Sequence, residues 1–244
     1  MFGRSYQDYD FEMFSVSHFA VITILLVVSI AMYFFRNRLK EKNLRKAEVG
    51  VALSLLAMEG TYHTWMYVNG SWKASHAIPL ELCSLSLFLT VLLLLTGKKL
   101  VYEILLFTAL LGASQAMLTP LLNYDFPHFR FFHFFYSHLM IIWVPLYFTW
   151  IKGYRPTIYS VLKLFCFLNI LMPFIMLINK LVGGNYMFLS HKPESASLLD
   201  VLGPYPWYIL SLEGLLILLS LIVWLALREK GTKVEMPVEK GFGG

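Results

Sequence analysis

Apolar residues run through the chain in long stretches that are separated by short polar breaks or by breaks containing Gly and Pro. These stretches approach or exceed the roughly 18 to 20 residues that cross a hydrocarbon core about 30 Å thick. They lack the strict alternation of barrel strands, which favours helices. The pattern predicts seven membrane-spanning helices, at residues 14–35, 47–68, 78–96, 100–118, 131–150, 158–181 and 207–227.

Composition agrees with this prediction. Of the 244 residues, 58% are hydrophobic and only 14% are charged, whereas a soluble domain carries about 25% charged residues. The mean hydropathy is +0.63. A cytosolic enzyme and a secreted disulfide scaffold are excluded, and we predict an all-α, polytopic membrane protein.

The basic residues predict the orientation of the bundle. Fourteen of the 20 Lys and Arg residues lie in stretches 36–46, 97–99 and 152–157 and after residue 227. By the positive-inside rule, the N-terminus is outside and the C-terminus inside. The net charge of +5 reports this topology, so we expect no nucleic-acid partner.

The chain is expected to form one transmembrane domain over residues 1–227. An acidic segment precedes the first span and basic residues follow it, so that span is expected to stay as an anchor. Residues 228–244 are polar and end in glycine, which predicts a disordered cytoplasmic tail.

Ionisable groups inside a bilayer cost at least about 2.5 kcal/mol near its centre, so each needs a partner, a watery cavity or a function. At about 1.5 Å per residue, polar groups on five of the predicted spans lie at similar outer-leaflet depth. They are Glu59, His63, Glu81, Cys83, Gln115, His138 and Glu213. This cluster predicts a functional site in the outer half of the bundle; the alternative is that the groups pair only to fix helix packing.

Cys83 is the candidate nucleophile. Pro79 suits the first turn of a helix, which places Cys83 near a helix N-terminus, where the dipole favours a thiolate. Glu81 opposes this by its like charge, and a lone cysteine in an apolar helix is also typical of simple packing. Among the histidines of residues 128–138, only His138 is deep enough for a buried general base, and His128 and His133 are expected to be interfacial.

Glu59 and His63 are four residues apart and therefore share a helix face. The carboxylate can fix the imidazole's tautomer, or the two can form an intrahelical salt bridge. The outer loop over residues 183–206 contains Asn185 and Tyr186; its length is typical of a lid and equally of a surface loop. No metal-ligand spacing is present, and the two cysteines lie within spans.

Five short segments carry a family resemblance. Residues 185–189 (Asn-Tyr-Met-Phe-Leu), 192–193, 197–200, 202–208 and 78–84 resemble the YwaF-type bacterial integral membrane protein family over nearly the whole chain. The resemblance implies a multi-pass protein of a bacterial plasma membrane. That family is more distantly similar to eukaryotic seven-helix acyltransferases that move polyunsaturated acyl chains onto ether phospholipids, and to androgen-induced intramembrane hydrolases.

In those eukaryotic relatives a nucleophile near the start of one helix works with a histidine on another, and the matching positions are Cys83 and His138. We therefore expect an acyltransferase or acyl-ester hydrolase that acts on a membrane lipid without a cofactor or metal. Substrate-binding or orienting roles are expected for the remaining candidates: Glu59, His63, Glu81, Gln115, Asn185, Tyr186 and Glu213.

Two alternatives belong to other classes. A transporter or binding protein for a small polar or lipidic ligand would use the same polar groups, with Cys83 dispensable. A zinc-dependent lipid hydrolase would use His63, His138 and carboxylates, but paired histidines on one helix face are absent from the sequence.

Overall fold

The computed structural model of the chain describes residues 2–3, 10–193 and 198–229. Regular structure in these ranges is helical throughout, which confirms the all-α prediction. The α-helices are α1 (Val16–Phe34), α2 (Arg36–Lys40), α3 (Arg45–Val68), α4 (Leu82–Thr96), α5 (Lys99–Phe107), α6 (Ser114–Leu118), α7 (Phe129–Trp150), α8 (Ile158–Val182) and α9 (Trp207–Leu227). From residue 230 onward, the predicted tail lies outside the described residues.

The predicted span at residues 100–118 is not one regular helix. A π-helical turn, Thr108–Ala113, joins α5 to α6, so that the three together form one continuous helical rod, Lys99–Leu118. Sequence periodicity does not predict such a turn, because a single wide turn leaves the apolar run unbroken.

In the described part of the chain, five helical rods are long and apolar enough to cross a membrane: α1, the Lys99–Leu118 rod, α7, α8 and α9. The chain is therefore a multi-pass, integral membrane protein. The other two predicted spans fall on α3, which carries four charged residues, and on α4, which has only 15 residues.

The Lys99–Leu118 rod and α7 lie at the centre of the bundle. In each, 61% of the apolar window is buried, against 11% for α1, 17% for α8 and 6% for α9. α4 packs between α3 and α7, and the π-helical turn packs against α4, α7 and α9. The poorly buried helices are at the periphery, where lipid surrounds them.

Two polar clusters join helices at the end of the bundle opposite the predicted site. The Glu48 carboxylate of α3 accepts a hydrogen bond from Tyr147 of α7 at 2.6 Å and pairs with Lys152 at 2.7 Å. Lys163 of α8 lies 2.5 Å from the buried Glu103 carboxylate of α5. Both carboxylates therefore have cationic partners.

Candidate functional site

Cys83 is the second residue of α4. The helix begins at Leu82 with Glu81 as its N-cap residue, so Pro79 precedes the helix and does not occupy its first turn as the sequence suggested. The thiol is free and half-buried. Its position at the N-terminal turn agrees with the sequence-based expectation, although the turn starts four residues later than predicted.

His138 is buried on α7, and its ring is held in one tautomer. Nδ1 lies 2.7 Å from the Phe134 carbonyl oxygen, which can only accept, so Nδ1 carries the proton and donates it. Nε2 is then left as an acceptor, and no hydrogen bond to it occurs within the described residues. An unpaired, unprotonated Nε2 is what a general base requires.

Cys83 and His138 lie on directly packed helices, since α4 contacts α7. In the described ranges no hydrogen bond joins the two side chains. The π-helical turn contacts both helices, and its Thr108 is hydrogen-bonded to Ser86, one turn along α4 from Cys83. The two candidate catalytic residues thus belong to one packed group of three segments.

Glu59 of α3 is buried and contacts two histidines. Its Oε1 lies 3.4 Å from Nε2 of His63, as the spacing of four residues predicted, and its Oε2 lies 3.0 Å from Nε2 of His133 on α7. The imidazole that Glu59 holds across the helix interface is therefore that of His133 and not that of His138. His133, expected to be interfacial, is only 8% exposed and is therefore buried where α3 packs against α7.

Three further residues complete this cluster, and the sequence reasoning missed all three in this role: His133, Arg130 and Trp72. Arg130 Nη1 donates to Nδ1 of His133 at 2.7 Å, and its guanidinium lies 4.1 Å from the centroid of the Tyr62 ring. Trp72 Nε1 donates to Nδ1 of His63 at 3.2 Å. The spacing of three residues between Arg130 and His133 was an available signal for their contact.

His128, also expected to be interfacial, is fully buried as the N-cap residue of α7. Its Nδ1 accepts from the Arg130 backbone amide at 3.1 Å, and its Nε2 lies 3.0 Å from the Gly3 carbonyl oxygen, to which it donates. Burial lowers the pKa of this imidazole. His128 therefore caps α7 in its neutral form.

Two of the predicted orienting residues lie apart from the Glu59 cluster. Gln115 is exposed, and among the residues described its side chain donates only to Thr119, just after its own rod, at 2.8 Å. Glu213 is half-buried on α9 and forms no hydrogen bond or ion pair in the part of the chain that the structure describes. The structure does not bring either residue to His138 or to His133.

Glu81 and the outer loop are joined to each other. Glu81 Oε2 accepts from the Met187 backbone amide at 3.0 Å. The buried Tyr186 hydroxyl donates to the Ala74 carbonyl oxygen at 2.7 Å and accepts from the Ile78 amide at 2.9 Å. These contacts attach the loop to the segment that leads into α4, and thereby to the turn that holds Cys83.

Asn185, the other predicted loop residue, stabilises the loop from within. Its Oδ1 accepts from the amides of Ser190 and His191, at 3.0 and 3.1 Å, and its Nδ2 donates to the His191 carbonyl oxygen at 2.8 Å. Met187 and Phe188 both have positive φ angles, of 55° and 54°. Positive φ angles are disfavoured for residues with a side chain, so the contacts around the loop hold the backbone of these two residues in that conformation.

The described residues contain no group of three or more His, Cys, Asp and Glu side chains arranged to hold a metal ion. Both Nε2 atoms of the Glu59 cluster are directed at carboxylate oxygens. Metal ligation by these two histidines would require their bonds to Glu59 to rearrange.

Comparison with known proteins identifies the family. No curated protein and no solved structure gave a significant match to the chain. The family model described as the TMEM164 family matches residues 13–224, which extend from the start of α1 almost to the end of α9. The assignment to the YwaF-type family is therefore wrong, and the bacterial plasma membrane inferred from it loses its support. The chain belongs to the TMEM164 family.

Proposed function

We propose that the chain crosses the membrane seven times, with its N-terminus outside and its C-terminus inside. The 24 residues of α3 span about 36 Å at 1.5 Å per residue, and its Glu48 and Glu59 side chains are buried within the bundle instead of facing lipid. In this topology α3 ends on the outer side of the membrane, and α4 begins there and returns toward the inside. The excess of Lys and Arg in the stretches assigned to the inside supports this orientation.

We further propose that the protein is an intramembrane acyltransferase or acyl-ester hydrolase that acts on a membrane lipid, with Cys83 as nucleophile and His138 as general base. The observation that carries the proposal is the fixed tautomer of His138. Its Nδ1 proton is committed to the Phe134 carbonyl, so Nε2 is an unpaired acceptor on a helix packed against the one that bears the thiol.

The chemistry has two balanced steps. Nε2 of His138 takes the Cys83 proton while Sγ attacks the ester carbonyl, and the alcohol of the lipid leaves with the proton returned by His138. The resulting thioester is then attacked by a lipid hydroxyl or by water, whose proton passes to Nε2 and back to Sγ. Transfer and hydrolysis differ only in the second nucleophile.

The test is labelling of the full-length protein in lipid nanodiscs with a phospholipid analogue in which the acyl ester is replaced by an electrophile that forms a stable bond with a thiol. Mass spectrometry should find the adduct on Cys83 in the wild type and in Cys166→Ala, which removes the exposed cysteine of α8. His138→Ala should slow labelling by about 100-fold, the usual range for a lost general base. No adduct on Cys83, or equal labelling of His138→Ala, would refute the mechanism.

One observation favours a second candidate, a carrier for a small polar or lipidic ligand. Glu213 is a carboxyl group in an apolar helix, without a hydrogen-bonding or ionic partner in the described residues, and intramembrane carboxyl groups commonly mark transport pathways. A carrier requires Glu213 but not Cys83. Comparison of Cys83→Ala with Glu213→Gln in one vesicle transport assay separates the two functions.

A further inference from the structure

Arg130, His133 and Glu59 form a chain of contacts that we call the histidine-bridged ion pair. The Arg130 guanidinium donates to Nδ1 of His133 at 2.7 Å, and Nε2 of the same ring donates to Glu59 at 3.0 Å. A guanidinium can only donate and an ionised carboxylate can only accept. The imidazole between them must therefore be neutral, with its proton on Nε2.

His63 repeats this arrangement on the other oxygen of Glu59. Trp72 Nε1 can only donate, so Nδ1 of His63 accepts its proton, and Nε2 carries the proton that faces Glu59 at 3.4 Å. Both imidazole N–H groups thus point toward Glu59, and both Nδ1 atoms accept from a donor outside the pair of rings. Neither imidazole can take up a second proton without losing the bond at Nδ1, so the observed hydrogen bonds favour the neutral form of both rings.

The histidine-bridged ion pair lies on the same stretch of α7 that holds His138. His133 and His138 are five residues apart, about 7.5 Å along the axis. The carbonyl that fixes the His138 tautomer belongs to Phe134, the residue directly after His133. Tyr62 of α3 adds a second contact to this stretch, because its ring lies 4.3 Å from that of His133 and 4.1 Å from the Arg130 guanidinium.

We propose that Glu59 and His133 are positioning residues for His138: the histidine-bridged ion pair fixes α7 against α3 and so sets where Nε2 of His138 stands relative to Cys83. The inference rests on the proposed acyl-transfer function. It differs from direct orientation of His138 by Glu59, because the two side chains communicate only through His133 and the α7 backbone.

Glu59→Gln is the most selective change. A glutamine side chain has one acceptor oxygen and one donor amide, so it can satisfy only one of the two imidazole N–H groups. The other imidazole must then accept from the glutamine amide through Nε2, which requires the tautomer protonated at Nδ1, and this N–H opposes the donor of Arg130 or Trp72. The removal of His63 relieves this conflict, because the glutamine oxygen can then accept from His133 while its amide points to the open groove beside Thr64, Tyr67 and Trp72.

The first experiment measures the initial rate of Cys83 labelling by the lipid probe in nanodiscs, at matched amounts of folded protein. Glu59→Gln should lower the rate by about 10- to 100-fold, the scale of a misplaced catalytic group. The double variant Glu59→Gln/His63→Ala should react faster than Glu59→Gln and at about the rate of His63→Ala alone, because the glutamine then meets only His133. Failure of this rescue would count against the proposal.

The second experiment asks whether Glu59 acts through His138. In a His138→Ala background, Glu59→Gln should cause no further loss of rate, because the group it positions is gone. If Glu59→Gln lowers the rate by the same factor in His138→Ala as in the wild type, its role is generally structural and the inference is overturned. If the wild type gives no Cys83 adduct, both the proposed function and the positioning role are refuted. If the wild type is labelled but Glu59→Gln and His138→Ala lower the rate independently, only the positioning role is refuted.

A third measurement tests the histidine-bridged ion pair without any activity. In full-length protein with ¹⁵N-labelled histidine, the spectrum should show His133 with a bare Nδ1 and a protonated Nε2, assigned by its loss in His133→Gln. Glu59→Gln should shift this signal, and the addition of His63→Ala should restore it. An Nδ1-protonated or charged His133 in the wild type would refute the arrangement.

Discussion

Ser86 on α4 and Thr108 in the π-helical turn are joined by a hydrogen bond between their hydroxyl oxygens, 3.0 Å apart. Both side chains are buried, with 1% and 2% of their surface exposed. Ser86 lies on the face of α4 that also carries Cys83, since the two are three residues apart. The bond therefore ties the face of the candidate nucleophile to the centre of the bundle.

This pair gives a quantitative prediction for stability. A double-mutant cycle of Ser86→Ala and Thr108→Val should show a coupling free energy of about 0.5 to 1.5 kcal/mol, the range found for hydrogen bonds between membrane helices. Reversible unfolding in mixed micelles measures it. The matched pair is Ser86→Ala and Ser114→Ala, because among the described residues the Ser114 hydroxyl bonds only to Leu110 of its own rod. This pair should be additive; equal coupling in both cycles would contradict the prediction.

Gly112 allows the π-helical turn to approach the start of α4. A Cβ atom placed on it would lie 3.3 Å from Cδ2 of Leu82, the residue before Cys83. Gly112→Val should displace this turn and destabilise the fold by about 1 to 3 kcal/mol through overpacking. It should also change the rate at which a small maleimide modifies Cys83.

The control for this change is Gly60→Val. Gly60 lies within α3, and apart from its chain neighbours and the backbone of its own helix, no heavy atom of the described residues lies within 4 Å of the position that its Cβ would take. This variant should leave the maleimide reaction of Cys83 at the wild-type rate. If both valines alter the reaction equally, the close approach of Gly112 is not what positions the α4 turn.

Asn179 at the end of α8 anchors the outer loop. Its Oδ1 accepts from the Tyr186 amide at 2.8 Å and its Nδ2 donates to the Tyr186 carbonyl oxygen at 3.1 Å, while the side chain is 2% exposed. Asn179→Ala leaves the buried Tyr186 amide unpaired, and its carbonyl keeps only the 3.3 Å bond from the Leu189 amide, so the change should cost about 1 to 3 kcal/mol. Amide hydrogen exchange should accelerate at residues 184–190.

Asn169→Ala on the same helix is the matched control. In the part of the chain that the structure describes, the Asn169 side chain bonds only to the Phe165 carbonyl of its own helix, at 3.1 Å, so its loss leaves no described loop backbone group unpaired. Exchange in the loop should stay at the wild-type rate. Equal acceleration in the two variants would show that Asn179 is not the anchor.

The buried cap His128 predicts a dependence of stability on pH. Burial holds its pKa below the ordinary value of 6.5, so the unfolded chain binds a proton at a higher pH than the folded chain does. The stabilisation is complete above pH 6.5 and is lost as the pH falls below that value. Thermal unfolding midpoints in detergent should therefore drop between pH 7.5 and pH 5.

His128→Asn isolates this contribution. Asparagine is a good N-cap residue and can still accept from the Arg130 amide, but it does not titrate. The midpoint of the variant should depend less on pH over the same interval. An identical dependence in wild type and variant would show that other groups cause the drop.

The sequence was sufficient for the helical class and for most helix limits, because long apolar runs and Gly breaks are local properties. Gly97 and Gly183, which end α4 and α8 with positive φ angles of 62°, are visible as such breaks. The contact of Glu59 with His63 follows from their spacing. The position of Glu81 as the N-cap residue and its bond to Met187 cannot be predicted from spacing, because they depend on where a distant loop folds back.

The Glu59–His133 contact shows why part of the site could not be predicted. The two residues lie 74 positions apart in sequence, on helices whose relative height is set by packing. From the sequence, His133 can be assigned only a depth, four residues from the start of α7, which suggests an interfacial position. The buried Glu59 carboxylate on α3 gives the His133 imidazole a partner inside the bundle, and the two residues meet only once the helices have packed.

The π-helical turn also fixes the rotational phase of the rod that contains it. A wide turn of this kind is equivalent to one extra residue in an α-helix, and one residue corresponds to a rotation of about 100°. The face that α6 presents is thus offset by that angle from the one that an uninterrupted α5 would present. The deletion of one residue within 108–113 would remove the extra residue and the offset together, so that a regular helix would form and Met117, now fully buried, would still point into the core.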